Sequence, residues 1–194
     1  MLNGASSAGK TRTADALEPL LRPPCVRTGL DDILDRVRPF GAEPRSCIDS
    51  LRRAVRIATF QVTDGPVRLF VAVHREAATA VRLGQDVIVE TALMDRRALR
   101  DAALQFAPLQ GLFVGLKPPL TVSEQWEAAR GDRPRGQARR HYARIHAHDT
   151  YDLVLDPFIL TTEECARAIL YRLTVGPPPT AFQQLVREDG AVPS

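Results

Sequence analysis

Gly4 to Thr11 reads G-A-S-S-A-G-K-T and matches the phosphate-binding pattern G-x-x-x-x-G-K-[S/T] at each fixed position. No other stretch constrains the fold as much, because such a loop works only between a buried β-strand and the start of a helix. Its glycines let the backbone wrap closely around an anion, so that several N–H groups and the helix N-terminus face it. The residues assigned to a nucleoside triphosphate are Gly4, Ala5, Ser6, Ser7, Ala8, Gly9, Lys10 and Thr11. Among these, Lys10 would reach the β- and γ-phosphates and the Thr11 hydroxyl would coordinate Mg²⁺. A chance turn beside a lysine would give the same letters, but this one follows an apolar stub and precedes a patterned helix.

That helix shows in the spacing of Ala14, Leu17, Leu20 and Leu21, stopped by Pro23-Pro24. "CVRTGL" (25–30) reads as a strand leading into the short helix "DDILDRV" (31–37). "RIATFQVTDGPVRLFV" (56–71) has two β-prone runs around Asp64-Gly65 and reads as a hairpin, followed by a helix over 72–83. "DVIVE" (86–90), "GLFVGL" (111–116) and "YDLVLD" (151–156) are further strands. A helix with Ala98, Leu99, Ala102 and Phe106 on one face lies between the first two. Thr121 with Glu124, ahead of Val122, Trp126 and Ala129, and Thr161 with Glu164, ahead of Cys165, Ala168, Ile169 and Leu173, are capping-box signatures. Strands alternating with helices make this an α/β chain with a parallel sheet covered on both faces.

With 194 residues, 44% hydrophobic and 25% charged, the expectation is one domain over 1–175. A loosely attached Pro-rich tail over 176–194 would follow. No apolar run nears the ~20 residues of a membrane span, and no signal-peptide pattern opens the chain, which points to the cytoplasm. Cys25, Cys47 and Cys165 are far apart and odd in number, so they read as apolar fillers rather than disulfides or a zinc site.

Phosphoryl transfer needs positioning, charge neutralisation and one group that orients or deprotonates the attacking hydroxyl. Asp31 and Asp32, at the end of the second strand, are the candidates. Either could simply cap the following helix; the reading taken is Asp31 as base and Asp32 as structural. Glu90, at the end of "DVIVE", either serves the metal beside Thr11 by holding a magnesium-bound water, or contacts the acceptor, or is a strand-end residue hydrogen-bonded to Thr91 or Arg96. Phe40, Ile57, Phe60, Val62, Leu69 and Phe70 suggest an apolar or aromatic acceptor. No guanine-recognition motif N-K-x-D is present.

Lys10 and Lys117 are the only lysines among 26 basic residues. Arginines crowd "ARGDRPRGQARRHYAR" (129–144), a segment broken by glycine and proline. Such a segment reads as a lid over 130–140 that closes on phosphates, with Arg130 and Arg133 on the nucleotide and Arg139 and Arg140 solvated. Binding of nucleic acid would favour a wider basic face with more aromatics than Tyr142 alone. His146 and His148 lack further ligands at metal spacing and read as solvent-facing or hydrogen-bonded.

"LNGASSAGKT", "TGLDDIL", "ARGDR" and "YDLVLD", in this order, resemble the chloramphenicol phosphotransferase family of small P-loop kinases, to about Leu173. The resemblance implies a three-layer fold like shikimate and adenylate kinases, with a five-stranded parallel sheet and ATP as donor. It also implies phosphorylation of an antibiotic hydroxyl, with Asp31 as base and Arg130 and Arg133 as the "ARGDR" arginines. Family members often carry two aspartates where this chain has Glu90-Thr91, and more β-prone residues ahead of L-N-G. A first strand over Met1–Asn3, or a start assigned late, follows from the latter.

The expected activity is therefore ATP- and Mg²⁺-dependent O-phosphorylation of a hydroxyl-bearing antibiotic, with Asp31, Lys10 and Arg133 carrying the chemistry. Alternatives are a kinase of a housekeeping metabolite, nucleoside or shikimate-like, and a nucleotide-dependent regulator. The expected partner is a small molecule, neither nucleic acid nor membrane, and self-association is left open.

Overall fold

A computed structural model of the chain describes residues 1–30, 64–130 and 136–190. Five parallel strands form one sheet: β1 (Leu2–Gly4), β2 (Cys25–Gly29), β3 (Asp86–Thr91), β4 (Val114–Leu116) and β5 (Leu153–Leu155), in the order β2-β3-β1-β4-β5. All five occur where the sequence pattern puts a strand. β1, short as it is, lies in the middle, with Leu2 opposite both Glu90 and Val114. It is buried throughout, as a central parallel strand requires.

The described helices are α1 (Lys10–Leu17), α2 (Asp64–Arg82), α3 (Arg96–Phe106), α4 (Leu120–Arg130), α5 (Gln137–Ile145), α6 (Thr162–Thr174) and α7 (Ala181–Gly190). One core joins Phe70, Val73 and Ala77 of α2, Ala98, Ala102 and Phe106 of α3, and Phe182 and Leu185 of α7 to Val89 and Phe113. The other joins Ala14 and Leu17 of α1 and Cys165 and Ile169 of α6 to Leu2, Ile88, Val114 and Leu155. Successive residues Ile88 and Val89 thus enter different cores, as strand alternation demands. The result is a three-layer α/β fold.

Four expectations are corrected. The hairpin about Asp64-Gly65 gives way to α2, which already runs from Asp64. Pro66 suits a helical first turn, and Phe70, Val73 and Ala77 extend the apolar run at helical spacing. The first run of that hairpin, 56–63, lies outside the described residues, as does the helix over 31–37. Phe70 is 5% exposed and packs in the core, so it is not a wall for an acceptor; Leu69 packs against the same cluster.

Thr121 does not cap α4, which begins one residue earlier, after Pro118-Pro119. The Pro119 carbonyl accepts from Val122 and Ser123 N–H, and Glu124 pairs instead with Arg139. The inward face of α4 is Val122, Ser123 and Glu127, with Trp126 half-buried and Ala129 exposed. Thr161 and Glu164, by contrast, form the full capping box of α6.

The stretch after residue 176 is not loose where it is described. α7 stacks Phe182 on Phe113, with ring centroids 4.7 Å apart, and packs against α3. Asp152 Oδ1 accepts from Thr180 N–H at 2.7 Å and Ala181 N–H at 3.0 Å, while Oδ2 accepts from Phe113 N–H at 2.9 Å. A carboxylate remote in sequence thereby satisfies the first N–H groups of the helix. Glu127 does the same for α5, accepting from Gly136 N–H at 2.7 Å and Ala138 N–H at 2.8 Å.

Candidate active site

The loop leaves β1 at the centre of the sheet, at the carboxyl ends of the strands and beside the point where the strand order reverses, a place where open α/β sheets bind ligands. Gly4 is needed for close approach: a Cβ there would lie 2.9 Å from the Leu116 carbonyl oxygen and 3.2 Å from Ala8 Cβ. Ser7 (φ 62°) and Gly9 (φ 83°) take left-handed backbone conformations. Such alternation turns successive N–H groups toward one concavity, the arrangement that holds anions. Gly9 also opens α1, accepting from Thr13 N–H at 2.9 Å.

Lys10 Nζ reaches back over the loop and donates to the carbonyls of Gly4 at 2.8 Å and Ala5 at 2.9 Å. Its ammonium thus lies at the loop itself. One residue on, the exposed Thr11 hydroxyl donates to Glu90 Oε2 at 2.8 Å. The structure therefore brings together the two residues that the sequence nominated for a metal. Glu90 is not bonded to Thr91 or Arg96; its other oxygen accepts from Arg27 Nη2 at 2.7 Å. A hydroxyl and a carboxylate are hard oxygen donors, a set that fits Mg²⁺.

Beneath the loop, Asn3 is fully buried and ties three segments together. Its Oδ1 accepts from Leu93 N–H at 2.9 Å, and its Nδ2 donates to the Tyr151 hydroxyl at 2.8 Å. The same hydroxyl lies 2.8 Å from His146 Nδ1. Tyr151 packs so closely on β4 that a Cβ on Gly115 would lie 3.0 Å from its ring. Burial first, and then the positive charges of Lys117, His148 and Lys10, push His146 down from the ordinary imidazole range to about 4. His146 is therefore buried and hydrogen-bonded rather than solvent-facing, and neutral beside the loop lysine.

Gly4 to Thr11 and Glu90 thus fall into one constellation. Asp31, Asp32 and Arg133 lie outside the described residues, as does the side chain of Arg130. Residues 137–140 of the expected lid are the first turn of α5, where Arg139 pairs with Glu124 at 2.6 Å and stays largely exposed. A cavity of about 470 Å³ opens at the opposite, amino ends of the strands, among Leu17, Val87, Leu112 and Phe182, and includes no loop residue.

Sequence reasoning missed Asn3, Arg27, Glu127 and Tyr151. For Arg27 a signal existed, since a charged side chain inside a strand of a covered parallel sheet needs a partner. For Asn3 the signal was an amide within an apolar strand. Glu127 and Tyr151 act on segments that no local pattern connects to them.

Residues 1–174 match the family described as chloramphenicol phosphotransferase-like protein. Over 198 residues, covering 95% of this chain and 86% of the relative, the sequence is 31% identical to a protein from Mycobacterium tuberculosis strain H37Rv provisionally named as an O-phosphotransferase. Its counterpart in strain CDC 1551 matches to the same extent. Among solved structures, the tunicamycin resistance protein of Deinococcus radiodurans superposes with a TM-score of 0.58 at 18% identity, covering 91% of this chain and 96% of that one. Shikimate kinase from Acinetobacter baumannii in complex with shikimate superposes with a TM-score of 0.60 at 16% identity, covering 89% and 90%.

Proposed function

The chain belongs to the chloramphenicol phosphotransferase-like family, and on that premise we propose that it transfers the γ-phosphoryl group of ATP, with Mg²⁺, to a hydroxyl of an antibiotic or related natural product. Membership makes it a small-molecule O-phosphotransferase; the donor, the metal and the acceptor class are the proposal. The observation that carries it is the phosphate loop with Lys10 across its carbonyls and Thr11 bonded to Glu90.

In this reading the loop N–H groups cradle the phosphates, and Lys10 leaves the Gly4 and Ala5 carbonyls for the β- and γ-phosphoryl oxygens. Thr11 would hold the Mg²⁺, with Glu90 fixing the direction of its hydroxyl proton. Bound there, the cation supplies charge neutralisation on the transferring group. Asp31 accepts the proton of the attacking hydroxyl, and Arg130 and Arg133 neutralise phosphoryl charge from the lid. Loss of the hydroxyl proton to a carboxylate is what raises the nucleophilicity of an alcohol at neutral pH.

Placement of Phe70 in the core removes part of the argument for an apolar acceptor. A kinase of a polar hydroxyl metabolite is therefore kept as the second reading. Among the described residues no helix is long and apolar enough to cross a membrane.

The test is mass spectrometry of reactions with ATP and Mg²⁺ over a panel of hydroxyl-bearing antibiotics, including chloramphenicol and hygromycin A, alongside shikimate and nucleosides. Lys10→Ala is the control. An antibiotic product gaining one phosphoryl group only with the unsubstituted protein supports the proposal. Phosphorylation confined to the polar metabolites would replace it with the second reading.

A further inference from the structure

The phosphate-loop pattern has no place for Arg27, and the chemistry above does not use it. Yet its guanidinium, on β2, spans three elements. Nη2 donates to Glu90 Oε1 on β3 at 2.7 Å; Nη1 donates to Asp15 Oδ1 on α1 at 2.5 Å and to Glu18 Oε2 at 3.4 Å. Burial works against its charge, but the hydrogen bonds it donates to Glu90 and Asp15 hold it cationic, above its ordinary range. Glu90 therefore has a donor on each oxygen: the Thr11 hydroxyl on one and a permanent cation on the other. A planar guanidinium fixed by several carboxylates is a far better-defined neighbour than a lysine would be.

We propose that Arg27 is a positioning residue that holds Glu90 on the Thr11 hydroxyl and, through its fixed positive charge, weakens the divalent-cation site at Thr11. The inference rests on the kinase reading for the site's purpose. With Oε1 engaged by Arg27, Glu90 does not swing free to chelate a cation through both oxygens. The Thr11 proton stays directed at Oε2, which leaves the hydroxyl lone pairs for the cation. A like charge on the far side of the same carboxylate lowers cation affinity at any effective dielectric. Arg27 thus exchanges binding strength for geometry.

The experiment measures Mn²⁺ affinity by electron paramagnetic resonance on the full chain with a non-hydrolysable ATP analogue, together with melting temperature and, with a phosphorylatable acceptor, kcat and the KM for Mg²⁺. Arg27→Met is expected to tighten Mn²⁺ binding by about fivefold while kcat falls. Asp15→Asn, which leaves the charge of Arg27 less compensated, is expected to weaken Mn²⁺ by about twofold. Arg27→Lys, which keeps the charge, should stay near the original affinity.

Unchanged or weaker Mn²⁺ binding in Arg27→Met, or both variants moving the same way with the melting temperature, would make Arg27 a structural bridge only. If Arg27→Met does not fold, Asp15→Asn decides: weakening supports the inference, and no change or tightening overturns it. Failure of the unsubstituted protein to bind Mn²⁺ with the analogue overturns it as well. The expected Mn²⁺ shifts without any phosphorylated product would sink the kinase reading and leave this one standing.

Discussion

The Thr11 hydroxyl donates to Glu90 Oε2 at 2.8 Å, joining the first turn of α1 to the end of β3 across 79 residues of sequence. If this pair orients the cation, Thr11→Val should lower kcat by roughly 10²-fold or more, the scale of losing one charge-stabilising group. Nucleotide affinity measured without Mg²⁺ should be unaffected. Fluorescent-nucleotide titrations with and without Mg²⁺ separate the two effects.

Lys10→Ala and Asp31→Asn are both expected to abolish transfer, for different reasons. Lys10 is a phosphate ligand, so its loss should weaken ATP binding, whereas Asp31→Asn should keep ATP affinity and lose turnover alone. Isothermal titration beside the product assay checks this. Normal turnover by Asp31→Asn would show that the base is another group.

Gly4→Ala places a methyl group 2.9 Å from the Leu116 carbonyl oxygen, a backbone atom that cannot rotate away. Overpacking of this kind costs about 1–3 kcal/mol. Chemical denaturation should show that loss, along with weaker nucleotide binding, because the displaced segment is the loop itself.

Asp152→Ala leaves the N–H groups of Phe113, Thr180 and Ala181 without their acceptor. Loss of about 1–3 kcal/mol is expected, because the Phe113 and Ala181 N–H groups are part-buried and go unpaired, while the exposed Thr180 N–H can turn to water. Hydrogen exchange would locate it: α7 amides should speed up most, and unchanged exchange in α7 would refute the role of Asp152 as its anchor.

Stability should also depend on His146. The folded ring has its pKa lowered from 6.5 to about 4, so above pH 6.5 neither state is protonated and stability is full. As the pH falls from 6.5 toward 4, the unfolded chain takes up a proton that the folded one refuses, and stability declines. His146→Gln should flatten that part of the pH–stability curve; an unchanged slope would argue against a neutral buried ring.

The strands were legible because runs such as "DVIVE" and "GLFVGL" sit between turn residues and leave little choice of conformation. Val67–Val71 misled because a short apolar, β-branched run reads equally as strand or helix, and only Val73 and Ala77 beyond it reveal the longer period. The phosphate loop is a local object and was legible whole. Contacts between residues distant in sequence were not, since Arg27 meets Glu90 across 63 positions and Glu127 caps a helix that is not its own. The Thr11–Glu90 pairing was reachable only because the fold class fixes which strand ends beside the loop.

The packing of α7 bears on the order in which the chain is made. α7 follows every other described element, yet Phe182 covers both Phe106 and Phe113. Synthesis is vectorial at ~5–20 residues per second, and exposed apolar surface on incomplete chains promotes association. β1, made before β3 and β4, waits for both to flank it, and the rings of Phe106 and Phe113 then wait for α7. For several seconds the nascent chain would present rings to its surroundings, a window in which a chaperone or a neighbouring chain competes with α7.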